Sequence, residues 1–210
     1  MRSFRHWTPR YIWDRFTDIL HRQIQPERPW LAPTANVFLE SFLRKTDIGL
    51  EFGSGRSTIW FARRVAFLTS VEHDRVWHER IKELLNKHCL FNVNYLFYPY
   101  DVAEEEDKSH YVRTSHHFGD NSLDFALVDG IYREACALAS VDKIRPGGIL
   151  IIDNANWYLP SDSRSANSRS REEGPASARW GRLLDKVARW RCIWTTGVHD
   201  TAIFIKPCRG

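Results

Sequence analysis

The run Ile48-Gly49-Leu50-Glu51-Phe52 passes straight into Gly53-Ser54-Gly55 and then into a helix-patterned stretch over 57–65. A short apolar strand that turns at glycine into a helix is the first half of a strand–helix–strand unit. Such units commit a chain to a parallel sheet, because only a crossover connection brings the next strand back in the same direction. The alternation then continues. Pattern predicts strands over 67–71, 92–98 and 123–128, with helices over 75–88 and 132–144. Pro146-Gly147-Gly148 turns into a fifth, strongly apolar strand over 149–152, and a helix is expected over 180–190. Two runs over 193–196 and 201–205 flank Gly197 and read as an antiparallel hairpin at the end of the sheet. The expected fold class is therefore α/β, a Rossmann-like, doubly wound, mostly parallel sheet closed by a C-terminal antiparallel hairpin.

This domain is expected over 34–210, opening with a helix over 34–43. Residues 1–33 form an N-terminal helical extension, in which Tyr11, Ile12, Phe16, Ile19 and Leu20 fall near helical spacing ahead of Pro26, Pro29 and Pro33. Two segments break the rhythm. Residues 101–122 hold an acidic run over 104–107 and the pair His116-His117. Residues 160–178 are rich in Ser and Arg and are expected to be a mobile loop. With 210 residues, 43% of them hydrophobic, the chain can bury one sizeable core. The net charge of +4 comes mostly from arginines spread along the chain, so nucleic-acid binding is not indicated. Cys89, Cys136, Cys192 and Cys208 show no C-x-x-C or zinc spacing and read as reduced thiols of a cytoplasmic protein. The first ten residues lack the apolar run of a signal peptide, and no stretch reaches the roughly 18 apolar residues of a membrane span.

The chemistry-bearing residues fall at the expected strand ends. Glu51, Gly53, Ser54, Gly55 and Ser57 span the first strand–helix junction. Glycines there allow a sharp turn and close approach to a ligand, although a plain tight turn needs the same residues. A dinucleotide loop would carry a third glycine where Thr58 stands, and Glu51 would repel a pyrophosphate. Glu51 suits a cationic amino group instead, and Arg56 could pair with an anion. Glu72, 21 residues after Glu51, ends the second strand, where a carboxylate can accept both hydroxyls of a ribose. Asp129 follows the fourth strand and the pair Asp153-Asn154 follows the fifth. Three oxygen ligands at one sheet edge could hold a hard divalent cation, or Asp153 and Asn154 could simply shape a turn. Trp157 and Tyr158 could wall a substrate or fill the core.

The stretch 48–72, IGLEFGSGRSTIWFARRVAFLTSVE, resembles the first two cofactor-binding motifs of class I S-adenosylmethionine (SAM)-dependent methyltransferases. The segment LVDGIYREACALASVDKIRPGGILIIDN resembles their fourth motif and the turn into the fifth strand. More narrowly, the chain is similar to the methyltransferase family often numbered 24, near the catechol and caffeoyl-CoA O-methyltransferases. The resemblance covers about 33–157. It implies SAM held by Glu51, Gly53, Ser54, Gly55, Ser57, Glu72 and Asp129, and an Mg²⁺ ion on Asp129, Asp153 and Asn154. It departs from the pattern at Tyr132, where the cation-dependent relatives carry a lysine base.

The activity so implied is in-line methyl transfer to an oxygen of a small molecule or sugar. Asp129 would stand where donor and acceptor meet. Tyr132, His116, His117 and His199 are the candidates for the missing base. Two other classes stay open: a non-catalytic binding or scaffold domain of the same fold, and an RNA or protein methyltransferase, although no Asn/Asp-Pro-Pro-Tyr motif is present. The aromatic N-terminal helix could cover the site or make a homodimer contact.

Overall fold

The computed structural model describes residues 12–13, 15–16, 19–20, 27–103 and 105–208. Its centre is a seven-stranded sheet in the order β3-β2-β1-β4-β5-β7-β6. The strands are β1 (Ile48–Phe52), β2 (Phe67–Glu72), β3 (Val93–Phe97), β4 (Leu123–Val128), β5 (Ile144–Asp153), β6 (Arg191–Thr195) and β7 (Thr201–Ile205). β1 to β5 are parallel. β7 pairs antiparallel with both β5 and β6, so the hairpin inserts its second strand against the parallel sheet. The helices are α1 (Pro33–Phe42), α2 (Arg56–Ala62), α3 (Arg75–Lys87), α4 (His110–Arg113), α5 (Arg133–Val141) and α6 (Ala178–Lys186).

Both faces of the sheet are covered, which is why its central strands are apolar at nearly every position. Leu50, Phe52, Ala126, Val128, Leu150 and Ile152 point to one side, into a cluster shared with α4, α5 and α6. Phe125, Leu127, Ile149, Ile151 and Ile203 point to the other, where Leu39 of α1 and Trp60 and Phe61 of α2 meet them. Phe61 stacks on Phe125 with ring centroids 4.8 Å apart. Under β2 and β3, Ile59 packs with Ile81 and Leu85 of α3. Asp74 caps α3 through the Trp77 N–H at 2.7 Å, and Ser177 caps α6 through the Trp180 N–H at 3.2 Å.

Several elements differ from expectation. β5 begins at Ile144 and runs through Pro146-Gly147-Gly148, with a register shift opposite Leu123 and Phe125. The glycine pair therefore bends a strand instead of preceding one. The helix expected over 132–144 stops at Val141 accordingly. Within the stretch 101–122, which breaks the strand–helix rhythm, α4 places Tyr111 fully buried against the sheet. Leu31 and Ala32 are also buried, and the Ala32 N–H donates to Thr201 Oγ1 at 3.0 Å, so the core begins before α1. Residues 12, 13, 15, 16, 19 and 20 are helical; the rest of the segment 9–24 lies outside the described residues. The four cysteines are free thiols. Among the described residues, no helix is long and apolar enough to cross a membrane.

Candidate active site

The loop after β1 is braced from beneath. Glu51 is fully buried, and its Oε2 accepts from Thr58 Oγ1 and Ser70 Oγ, both at 2.6 Å. Thr58 Oγ1 in turn accepts the Gly55 N–H at 2.9 Å. The residue in place of a third glycine is thus the link between the buried acid and the loop. Burial pushes the Glu51 carboxyl up to about 7 despite the hydroxyls of Ser57, Ser70 and Thr58. Glu51 Oε1 and Arg56 Nη1 are buried and have no hydrogen-bond partner. These two groups, a carboxyl oxygen and a guanidinium nitrogen, flank one loop. The expectation of Glu51 at the loop's mouth gives way to a brace under it, with one oxygen still open.

Gly53 has φ +91°, a conformation that side-chain-bearing residues rarely adopt. A Cβ there would stand 2.6 Å from the Gly130 backbone nitrogen. The β1 and β4 loops therefore touch backbone to backbone. Gly55, by contrast, is extended, and a Cβ there would meet nothing nearer than 3.8 Å. Its small size leaves space that the protein does not fill.

Glu72 is buried at the end of β2 and organises the facing wall. Its Oε2 accepts the Ser54 N–H at 3.0 Å and Ser54 Oγ at 2.7 Å; its Oε1 accepts the N–H groups of His73 at 2.7 Å and Asp74 at 2.9 Å. His73 Nδ1 lies 2.9 Å from the same Oε1. Burial acts to raise this carboxyl, but the donors outweigh it and hold its pKa at about 2. Trp77 Nε1 donates to Ser54 O at 2.7 Å. Gly53, Ser54, Glu72, His73, Asp74, Val76, Trp77, Asp129 and Gly130 enclose a cavity of about 480 Å³. Ser57 is buried in the first turn of α2 and Glu51 lies beneath the loop, so neither borders this space.

A second cavity of about 560 Å³ adjoins it, sharing His73 and Gly130. Its walls are aromatic: Tyr100 and Tyr132 lie 5.6 Å apart on one part, and Tyr158 stacks on Trp180 at 5.1 Å on another. Arg133, Glu106 and Glu134 supply charge there. Arg179 pairs with Glu106, and Ser177 Oγ donates to Glu134. Of the expected wall residues Tyr158 lines the cavity, whereas Trp157 lies outside it, edge-on to His199. His116 and His117 are exposed, and neither they nor His199 borders either cavity. Tyr132 borders the second one. It holds a left-handed φ of 49°, strained for a bulky residue, and its hydroxyl donates to Asp101 O at 3.3 Å. His73, which the sequence reading passed over, is the histidine found at the junction.

At the ends of β4 and β5, Asp129 and Asp153 do come together, with their carboxyl groups in hydrogen-bonding reach. Burial, and then the neighbouring Asp129, raise the Asp153 pKa above the usual carboxylate range. Thr201 Oγ1 donates to Asp153 Oδ1 at 2.8 Å. Arg133 donates from Nη2 to Asp129 Oδ1 at 2.9 Å and Asp129 O at 2.8 Å, from Nη1 to Asp153 O at 2.7 Å, and from Nε to Gly130 O at 3.0 Å. Asn154, with φ 53°, starts the tight turn over Ala155–Trp157, and its carbonyl accepts the Trp157 N–H at 2.9 Å. The donor set expected for Mg²⁺ does not fit a divalent ion: a guanidinium already engages it, and its third member is a turn residue. Among the described residues no group of three His, Cys, Asp or Glu side chains could hold a metal.

No family model and no curated protein matches this sequence. Solved structures do match the fold. A methyltransferase-like protein from Silicibacter pomeroyi superposes with a TM-score of 0.58 at 21% identity, covering 86% of this chain and 89% of that one. An rRNA methylase from Streptococcus thermophilus gives 0.53 at 10% identity, covering 84% and 95%. A Streptococcus mutans chain described as a methyltransferase and solved in complex with SAH, S-adenosylhomocysteine, gives 0.50 at 11% identity, covering 82% and 96%. At these identities the likeness is one of fold alone.

Proposed function

We propose that this chain is a cytoplasmic SAM-dependent methyltransferase that methylates an oxygen of a small acceptor, an aromatic or sugar hydroxyl, within its 34–210 domain. The observation that carries the reading is the pair of adjoining cavities. One is framed by the Gly53 loop and Glu72; the other is aromatic-walled; they meet at His73 and Gly130. SAM fits the first: the Gly53 loop and Glu72 frame it, Gly55 leaves room for close approach, and the buried Glu51 and Arg56 stand behind that loop. When bound, SAM supplies a methyl group already activated by its sulfonium. The chain's own work is alignment and the exclusion of water.

In this reading Ser54, Glu72 and Trp77 define the ribose side, with Glu72 exchanging a Ser54 donor for a ribose hydroxyl. Asp129 and Gly130 form the floor where the cavities join. Tyr132 orients the acceptor with its ring. His73 takes the acceptor proton: its Nδ1 lies 2.9 Å from Glu72 Oε1, which leaves the other ring nitrogen for the acceptor. The 160–178 segment, whose flanks Tyr158 and Trp180 border the acceptor cavity, closes over it.

Calorimetry with SAH tests the reading. The wild type should bind SAH and not NAD. Glu72→Gln should weaken SAH binding by about tenfold or more, the loss of one charge-assisted hydrogen bond. Binding of NAD in place of SAH would overturn the proposal. An acceptor-independent SAH affinity with no methyl transfer to any hydroxyl would favour the scaffold reading.

A further inference from the structure

The convergence of Asp129, Asp153 and Arg133 at the ends of β4 and β5 has a consequence beyond fold. Two acids at adjacent strand ends are the arrangement with which a hard cation is held. Here the guanidinium of Arg133 occupies that place, bonding the Asp129 carboxylate and the backbone of both strand ends. Its donors reach one carboxylate oxygen, Asp129 Oδ1, and three backbone oxygens, those of Asp129, Gly130 and Asp153. The side chain is 16% exposed, and it emerges in the wall of the aromatic cavity beside the Tyr158 ring, whose centroid lies 5.9 Å from its Cζ. Five N–H groups are available on an arginine. Four find these acceptors, which leaves one N–H on Nη1.

We propose that Arg133 is the built-in cation of this site, standing where a divalent ion would bind between Asp129 and the end of β5, so that the protein works without a metal. The i,i+4 spacing of Asp129 and Arg133 across the start of α5 delivers the guanidinium to both strand ends. A planar fork suits this better than an ammonium, because it reaches several oxygens from one fixed position. Arg133 thus positions Asp129 and ties β4 to β5, while its charge remains in the wall beside the acceptor. The inference rests on the methyl-transfer reading only for the identity of that cavity.

Mn²⁺ alone, added to the protein with SAH present, provides the test by electron paramagnetic resonance and calorimetry. The wild type should bind no Mn²⁺ at this site up to about 1 mM, the weak end of oxygen-ligand sites. Arg133→Met should free the Asp129 carboxylate beside Asp153 and tighten Mn²⁺ binding by about tenfold or more. Arg133→Lys keeps the charge and should remain metal-free, and it also serves if the methionine variant does not fold by circular dichroism. Mn²⁺ binding by the wild type that is lost in Asp153→Asn would overturn the proposal. So would a folded methionine variant that binds none, or a lysine variant that binds as a wild-type metal site would. SAH binding, read in the same samples, reports on the methyl-transfer reading separately: its absence would remove that reading without touching the Mn²⁺ result.

Discussion

His73 shows how a single position can join two functions. Its backbone N–H and its ring both address Glu72 Oε1, and its side chain borders both cavities. His73→Gln preserves size and polarity but cannot take a proton. Loss of a positioned base costs typically about 10²-fold or more in rate. The variant should therefore lose methyl transfer by that factor while its SAH affinity stays within about twofold; an unchanged rate in radiolabelled transfer assays would remove His73 from the chemistry. Thr58→Val makes a complementary point. It removes the hydroxyl that joins Glu51 to the Gly55 N–H, leaving that buried donor unpaired and Glu51 Oε2 with Ser70 alone, at about 1–3 kcal/mol. Thermal unfolding should show that loss, together with weaker SAH binding. The places of Glu72 and Asp129 at strand ends, and of Glu51 within β1, were legible in the sequence because each acid interrupts or ends an apolar run. His73, Thr58 and Arg133 were not. Their roles depend on which neighbouring strand end each side chain meets, and one chain's spacing does not specify that. The Asp129–Arg133 spacing was the one available signal.

At the scale of elements, the site is an outcome of two loops in contact. Gly53 ends the β1 turn and Gly130 ends the β4 turn, and each has the other's backbone within 3.0 Å of where its Cβ would be. Gly130 is further confined by the Tyr111 hydroxyl, 1.9 Å from its would-be Cβ. Gly130→Ala should thus force the loops apart and lower stability by about 1–3 kcal/mol, as overpacking does. Adding Tyr111→Phe should restore part of this, since the hydroxyl contact goes while the Gly53 contact stays. Denaturant melts of the single and double variants give the coupling; strict additivity would show that Tyr111 and Gly130 do not press on one another. The alternation of strands and helices was readable because both faces of the sheet are apolar and each helix carries one apolar side. α4 escaped notice because four residues cannot display a period, although Tyr111 seals the sheet from that side. The start of β5 escaped because Pro146-Gly147-Gly148 signals a turn, whereas pairing with β4 and β7 carries the strand through it.

Across the whole molecule, the buried acids set how stability responds to pH. Glu51 ionises at about 7 in the folded protein, against 4.5 for an ordinary glutamate, because burial disfavours its charge. The folded state therefore keeps this proton where the unfolded chain has released it. The stability that Glu51 contributes is fully present below pH 4.5 and is lost as pH rises toward 7. A difference of this size corresponds to about 3 kcal/mol at and above neutral pH. Glu72 works in the opposite sense and in another window. Its folded pKa of about 2 gives stability that is present above 4.5 and lost as pH falls toward 2. The combined contribution of these two groups is greatest near pH 4.5. Glu51→Gln should flatten the decline between pH 4.5 and 7. Its amide oxygen can still accept from Thr58 and Ser70, and it has no charge to desolvate. The variant should unfold at a higher temperature than the wild type at pH 8 and at nearly the same temperature at pH 4.5. At pH 8 the difference should be about 6–10 °C for a chain of this length. Because Glu51 braces the cofactor loop from beneath, the same substitution should weaken SAH binding through that loop while stabilising the free protein, so that stability and cofactor affinity move apart. Parallel melting curves for both proteins across pH 4 to 8 would put a protonated Glu51 out of account as the source of the decline.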